Sequence, residues 1–147
     1  MYYPLLRARQ FELIALRELA IERSTQGCIV PILEPVRESH NSLDLAFRVL
    51  LNEQQMVYLI VNPLVGEITG DTDHYLRYVS GLEGSNVMPA FHYRNNGGFI
   101  RSSIKTFNLS KCMLICRNVI FDQTLMECSE VVLKRVNSLN LSAIDLT

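Results

Sequence analysis

The sequence predicts an α/β protein in which βα units repeat around a parallel sheet. Six short, mostly apolar runs each end at a polar residue, and segments with helical periodicity lie between them. Apolar runs this short, without alternating polar residues, are typical of buried parallel strands. Equivalent positions recur about every 30 residues, as Val57 and Val87 do, and this is the length of one βα unit.

The predicted strands cover residues 2–6, 28–33, 57–61, 87–91, 112–116 and 141–146. Prolines stand at equivalent places in three of these runs, at Pro4, Pro31 and Pro89. Because proline has no amide hydrogen for the ladder, we expect these strands to begin at or just after the proline, or to have a locally broken ladder.

Five helices are predicted between the strands, the first from about residue 8 to 23. Each has apolar residues three and four positions apart, which place them on one helix face. These stripes are Leu13, Leu16 and Ala20; Leu43, Ala46, Phe47 and Leu50; Tyr75, Tyr78, Val79 and Leu82; Ile100, Ile104 and Phe107; and Leu125, Cys128, Val132 and Val136. The predicted capping residues are Asn41 or Ser42, Asp71 or Thr72, and Asp122 or Thr124.

Two architectures accommodate these units within a single α/β domain over residues 1–147. Right-handed crossovers allow either an open doubly wound sheet or the amino-terminal part of a TIM-like (β/α) barrel. The length of 147 residues favours the open sheet, because a barrel usually needs about 250 residues. The chain stops directly after the sixth predicted strand, without a covering helix, and this favours part of a longer barrel.

Composition excludes some classes of function. The net charge is −1 and charged residues make up 20% of the chain, so nucleic acid binding is not indicated. No apolar run reaches the roughly 20 residues that span a bilayer, and no signal peptide is recognisable, so we expect a cytoplasmic protein without a membrane partner. The four cysteines are expected to be buried reduced thiols, and no cofactor is identified.

The opening residues carry a family resemblance. The stretch Tyr-Tyr-Pro-Leu-Leu-Arg at 2–7, with Gln10 and Glu12 entering a helix and Pro-Ile-Leu-Glu at 31–34, resembles the uncharacterised bacterial and phage proteins called the beta family. The resemblance is strongest over residues 2–35. It implies a longer, barrel-like protein and no established activity, and it associates the chain with phage or defence gene sets. Where many relatives have Gly-Lys, this chain has Ala8-Arg9, so only the positive charge carries over.

The ends of parallel strands supply the candidate catalytic residues. Such ends converge on one edge of the sheet, so the polar residues that follow the runs are expected to share a site. Glu34 and His92 are the candidate acid and base, since a carboxylate and an imidazole can divide proton transfer near neutral pH. The structural alternative is that they pair with Arg7 or Arg117 to hold loops in place.

A second group of residues is predicted to bind an anionic substrate. Arg94 precedes the glycine pair Gly97 and Gly98, which opens a helix, and helix amide groups favour negative charge. A plain turn explains this segment equally well, because its spacing matches no phosphate-binding motif. The other candidate ligands are strand-end residues: Arg7, Asn62, Arg117 and Asp145.

No metal site is predicted. The acidic loop at 67–73 is a candidate for Mg²⁺, but helix capping by Asp71 or Thr72 explains it better. His40 and His74 are predicted to be surface side chains, and no histidine pair has the sequence spacing of metal ligands.

Two functions remain open on these residues. One is a barrel-type enzyme that acts on an anionic or phosphorylated small molecule. The other is a noncatalytic partner module of a phage-related or defence complex, which predicts a filled mouth, an exposed apolar seam and a protein partner or self-association.

Overall fold

The protein is a six-stranded, all-parallel α/β sheet with helices between the strands. The computed structural model describes residues 1–22, 28–82, 86–117, 125 and 130–136. The strands are β1 (Leu5–Arg7), β2 (Ile32–Glu34), β3 (Val57–Ile60), β4 (Val87–His92), β5 (Lys111–Cys116) and β6 (Glu130–Arg135). The helices within these ranges are α1 (Gln10–Ile21), α2 (Asn41–Asn52), α3 (His74–Ser80) and α4 (Gly97–Thr106).

The strands lie in the sheet in the order in which they occur in the chain, from β1 to β6. All five neighbouring pairs are parallel. A doubly wound sheet reverses its strand order at a switch point, and no reversal occurs here. The sheet therefore consists of repeated βα units that add strands in one direction, and a (β/α) barrel stays a prediction.

The described helices pack on one face of the sheet. The predicted stripes of the first four helices are largely confirmed: Leu16, Leu43 and Ile100, for example, lie in one buried cluster. The same cluster contains strand residues such as Leu33 and Leu59. The apolar period of each helix thus sets which side of the sheet it covers.

The opposite side of the sheet, called the second face below, has its own buried cluster without any residue of the described helices. Its central side chains are almost fully buried: Ile32, Tyr58, Ile60, Ala90, Met113 and Ile115. Side chains two residues apart on a strand share a face. The second face therefore continues from Ile32 to Glu34 and from Ala90 to His92, and it positions the candidate site.

The predicted fifth helix is wrong at its carboxyl half, where Glu130–Arg135 forms β6 instead. Val132 and Val136 are four residues apart, and this spacing places two side chains on one face of either a helix or a strand. Val131 and Val132 are β-branched and favour a strand once β5 offers a parallel ladder. The predicted sixth strand at 141–146 lies outside the described residues.

The ends of several elements also differ from the predictions. The N-cap position of α3 is occupied by Asp73 rather than by Asp71 or Thr72. The N-cap position of α2 is occupied by His40 rather than by Asn41 or Ser42. As expected, β1 and β2 begin directly after Pro4 and Pro31, whereas β4 begins at Val87, before Pro89.

Two further findings concern the cysteines and the possibility of a membrane-spanning helix. Cys28 is exposed, so the prediction of buried thiols is wrong there, whereas Cys112 and Cys116 are buried. Among the described residues, no helix has both the length and the apolar character to cross a membrane.

Candidate functional site

Glu34 and His92 form a buried pair at the carboxyl edge of the sheet. Oε2 of Glu34 lies 2.6 Å from Nε2 of His92, and each residue is only 4% exposed. Glu34 ends β2 and His92 ends β4, so their side chains meet across the end of β3. Alternate strands contribute to one layer of side chains in barrel-type sheets. The two residues that the sequence analysis expected to share a site thus lie in direct contact, and their catalytic role stays a prediction.

The contacts of Glu34 indicate which ring nitrogen of His92 donates a hydrogen bond and which one accepts. The same Oε2 accepts a hydrogen bond from the backbone amide of Leu64 at 3.3 Å. With the Glu34 carboxylate as the acceptor, Nε2 of His92 is the donor in this pair, and in the neutral imidazole the acceptor nitrogen is then Nδ1.

Asn62 locks the backbone of His92 in place. Its Oδ1 accepts the N–H of His92 at 2.8 Å, and its Nδ2 donates to the carbonyl oxygen of His92 at 3.0 Å. Asn62 follows β3 by two residues, and the last ladder bond there runs from Val61 to Ala90. The side-chain amide therefore continues the β3–β4 ladder beyond the end of the strand and fixes the position of the imidazole.

Asp71 joins this network, which the sequence analysis missed. Its Oδ1 accepts hydrogen bonds from Nδ2 of Asn62 and from Nδ2 of Asn96, both at 3.0 Å. Asn96 also donates to the His92 carbonyl at 3.1 Å and accepts the N–H of Arg94 at 2.8 Å. The predicted helix cap is thus a link between the loops after β3 and β4. No motif in the sequence marks this role.

A small cavity lies against the network. It encloses about 190 Å³ and is lined by Asn62, Leu64, Gly70, Asp71, Arg94 and Asn96. Cavities for whole small-molecule ligands usually measure about 300–1,000 Å³, so this one admits a single group of a ligand. Gly70 has a φ of 85°, a conformation that glycine adopts without strain.

The remaining predicted ligands are spread around the same edge. Arg7, the last residue of β1, is paired in register with Glu34 of β2, so the two side chains lie on the same face of the sheet. Gly97 opens α4 but is buried, and the exposed Gly98 lines a separate depression with Arg101 and other α4 residues. Arg117 is exposed directly after β5. Asp145 lies outside the described residues.

A second cluster joins the loops after β2 and β3. His40 and His74, predicted as separate surface residues, have their Nε2 atoms 3.2 Å apart. Nε2 of His74 is also 3.1 Å from the carbonyl oxygen of Glu38. Burial and the neighbouring His74 lower the pKa of His40, while Asp44 opposes this shift. The sequence separation of 34 residues gave no signal for this contact.

Within the described ranges, no group of three or more His, Cys, Asp or Glu side chains is arranged to hold a metal ion. Comparisons with known proteins give no match: no family model, no curated protein and no solved structure is similar enough to this chain. The resemblance of the opening residues to the beta family stays a prediction, and the site has to be interpreted from its own chemistry.

Proposed function

We propose that this protein is an enzyme that acts on a small anionic or phosphorylated substrate at the carboxyl edge of its sheet. The observation that carries the proposal is the 2.6 Å contact between the buried residues Glu34 and His92. Asn62, which hydrogen-bonds to the backbone of His92, lines a cavity together with Arg94. In barrel-type folds, chemistry takes place at this edge of the strands. The repeated βα units and the resemblance to the beta family support a TIM-like barrel as the architecture of this proposed enzyme.

Each residue has a distinct role in this proposal. His92 transfers protons through Nδ1, and Glu34 orients the imidazole and stabilises its charged form. Arg94 contacts the anionic group of the substrate, since a guanidinium pairs well with phosphate or carboxylate oxygens. Asn62 is a positioning residue, because it holds the peptide of His92 rather than the substrate.

An anionic group is expected to bind at the side of the cavity where Arg94 is exposed, away from the carboxylate of Asp71. Arg94 is exposed, and the carboxylate of Asp71 receives two amide donors. An anion beside Arg94 thus meets a cation at a solvent-exposed position, where the attraction weakens as salt is added. The size of the cavity suits a phosphate or carboxylate group, with the rest of the substrate outside it.

Binding is tested first by titrating inorganic phosphate into the labelled protein and following backbone amides by NMR. We expect the amides of Arg94 and Asn96 to shift at millimolar phosphate, and Arg94→Ala to weaken the response. Arg48→Ala is the matched control, because Arg48 is exposed on α2 and lines a different depression. No shift at millimolar phosphate, or equal shifts in both variants, would contradict anion binding.

Catalysis is tested with a panel of phosphorylated and carboxylated small molecules, whose turnover is followed by ³¹P and ¹H NMR. For any compound that is converted, we expect His92→Gln to lower the rate by about 100- to 10,000-fold, the usual contribution of general acid–base catalysis. Glu34→Gln is expected to lower it less, with phosphate binding retained in both variants. Full activity in His92→Gln would remove His92 from the mechanism.

A second candidate function is supported by exposed apolar side chains on α1 and α2. Phe11 is 84% exposed, and Ile21, Leu45 and Leu51 are each about half exposed. A noncatalytic partner module of a phage-related or defence complex requires such a surface, since apolar area in water favours association. Sedimentation of the wild type and of Phe11→Ser tests it, with concentration-dependent association expected only in the wild type.

A further inference from the structure

We infer that His40 and His74 bind a divalent transition-metal ion, with zinc as the best fit and the carbonyl oxygen of Glu38 as a third ligand. The three groups come from two loops. Glu38 and His40 lie between β2 and α2, and His74 opens α3. This site is separate from the Glu34–His92 pair, and it does not depend on the function proposed above.

Two distances between these atoms are close to the edge length of a coordination tetrahedron. Nε2 of His40 lies 3.2 Å from Nε2 of His74, which lies 3.1 Å from the Glu38 oxygen. Two ligands held tetrahedrally by zinc at 2.0–2.1 Å are about 3.4 Å apart. A zinc ion therefore fits between these atoms after shifts of a few tenths of an ångström, and water completes its coordination.

The metal-free arrangement satisfies these atoms poorly. Nε2 of His74 lies within hydrogen-bond distance of both the Glu38 carbonyl oxygen and Nε2 of His40, and it carries at most one proton to share between them. A metal cation placed between the two Nε2 atoms and the Glu38 oxygen would accept a lone pair from each of them. Metal binding requires the deprotonated nitrogen, so the proton of His74 moves from Nε2 to Nδ1 when the ion binds.

Aromatic neighbours hold both rings in position. The ring of His40 stacks on Tyr78 with centroids 4.0 Å apart, and His74 meets Tyr75 edge-on at 4.7 Å. The hydroxyl of Tyr78 donates to Asp44 at 2.6 Å, which anchors the stack and places a carboxylate close to His40. Ligands whose orientation is fixed before binding give tighter metal sites.

The donor set selects the class of ion. Imidazole nitrogens suit zinc, copper and nickel, whereas calcium and magnesium require oxygen ligands. A bound ion would connect the β2–α2 loop to the start of α3, three residues beyond Asp71. The metal therefore stabilises the loops at the same edge of the sheet that carries the candidate active site.

The experiment titrates ZnCl₂ into the full-length protein and follows the imidazole ¹H–¹⁵N correlations of its histidines. We expect those of His40 and His74 to shift with one equivalent of zinc, while His92 serves as the internal control. His74→Asn is expected to weaken zinc binding about tenfold or more by calorimetry. Cys28→Ser is the matched control, because Cys28 is an exposed thiol that competes for zinc.

Unmoved imidazole signals of His40 and His74 at millimolar zinc would overturn the inference. Equal zinc affinity in the wild type and His74→Asn, or loss of binding in Cys28→Ser alone, would also overturn it. The wild-type spectra decide the question even where a histidine variant fails to fold, because they need no substitution.

Discussion

Asn62 brackets the peptide of His92: its oxygen accepts the N–H of His92 at 2.8 Å, and its amide nitrogen donates to the carbonyl at 3.0 Å. Both partners are buried, so removing the side chain of Asn62 leaves buried backbone groups of His92 without these hydrogen bonds. One residue outside β3 thus fixes the backbone that carries the candidate base.

Asn62→Ala should therefore lower the free energy of unfolding by about 1–3 kcal/mol, the usual cost of leaving a buried polar group without its hydrogen bond. Urea unfolding measures this loss. Asn52→Ala is the matched control, because Asn52 is exposed at the end of α2 and surface changes usually stay within about 0.5 kcal/mol. Equal effects of the two changes would contradict the role of Asn62.

A double-mutant cycle tests the buried pair. His92→Leu leaves the carboxylate of Glu34 buried without its imidazole partner, and we expect a loss of about 3–5 kcal/mol. The double variant with Glu34→Leu should lose less than the sum of the two single changes, because it removes both polar groups together. Strictly additive losses in denaturant melts would show that the two side chains do not interact.

The second face of the sheet predicts a large effect at its centre. Ile60 is fully buried on β3 between the neighbouring strands β2 and β4. Ile60→Ala should cost about 2–5 kcal/mol, because it removes buried methyl groups and leaves a cavity. Leu51→Ala, at an exposed position of α2, is the control. A loss below about 1 kcal/mol for Ile60→Ala would contradict this burial.

Two buried tyrosines predict a loss of stability at high pH. Burial is the main cause that raises the pKa of Tyr58 and the pKa of Tyr75 to about 12. In the unfolded chain a tyrosine ionises near pH 10, so between about pH 10 and 12 the unfolded state has lost protons that the folded state keeps. The free energy of unfolding should therefore fall as pH rises through this window.

Urea unfolding at pH 9, 10 and 11 measures this loss, and Tyr58→Phe should make the fall shallower. Below pH 9 both states keep the tyrosine proton, so the tyrosines should add no slope there. An unchanged slope in both Tyr58→Phe and Tyr75→Phe would show that other groups cause the alkaline loss.

The fold could be predicted from the sequence where the apolar period of a segment was long enough to identify a helix or a strand. In the first four units, stripes such as Leu43 to Leu50 indicated which helix face is buried. At Val132 and Val136 the period alone did not distinguish a helix from a strand, and pairing with β5 decided between them. Pairing across the sheet is a tertiary effect that a local pattern does not contain.

The candidate site could be predicted in part. Glu34, Asn62 and His92 end their apolar runs, and the convergence of parallel strand ends predicted that they share one site. Asp71 was missed because its partners, Asn62 and Asn96, belong to other segments. Its sequence context, a polar residue shortly before a helix, equally indicates a cap. Such contacts depend on the conformations of the loops, and the spacing of residues along the sequence does not predict those conformations.

The sequential strand order has a consequence for synthesis. Each strand after the first pairs with the strand that precedes it in the chain, so its partner on that side already exists when it leaves the ribosome. No strand in the described sheet waits for a later one to fill a gap between two earlier ones. The sheet can therefore grow unit by unit from its amino terminus, and the edge that receives the next strand always belongs to the newest strand.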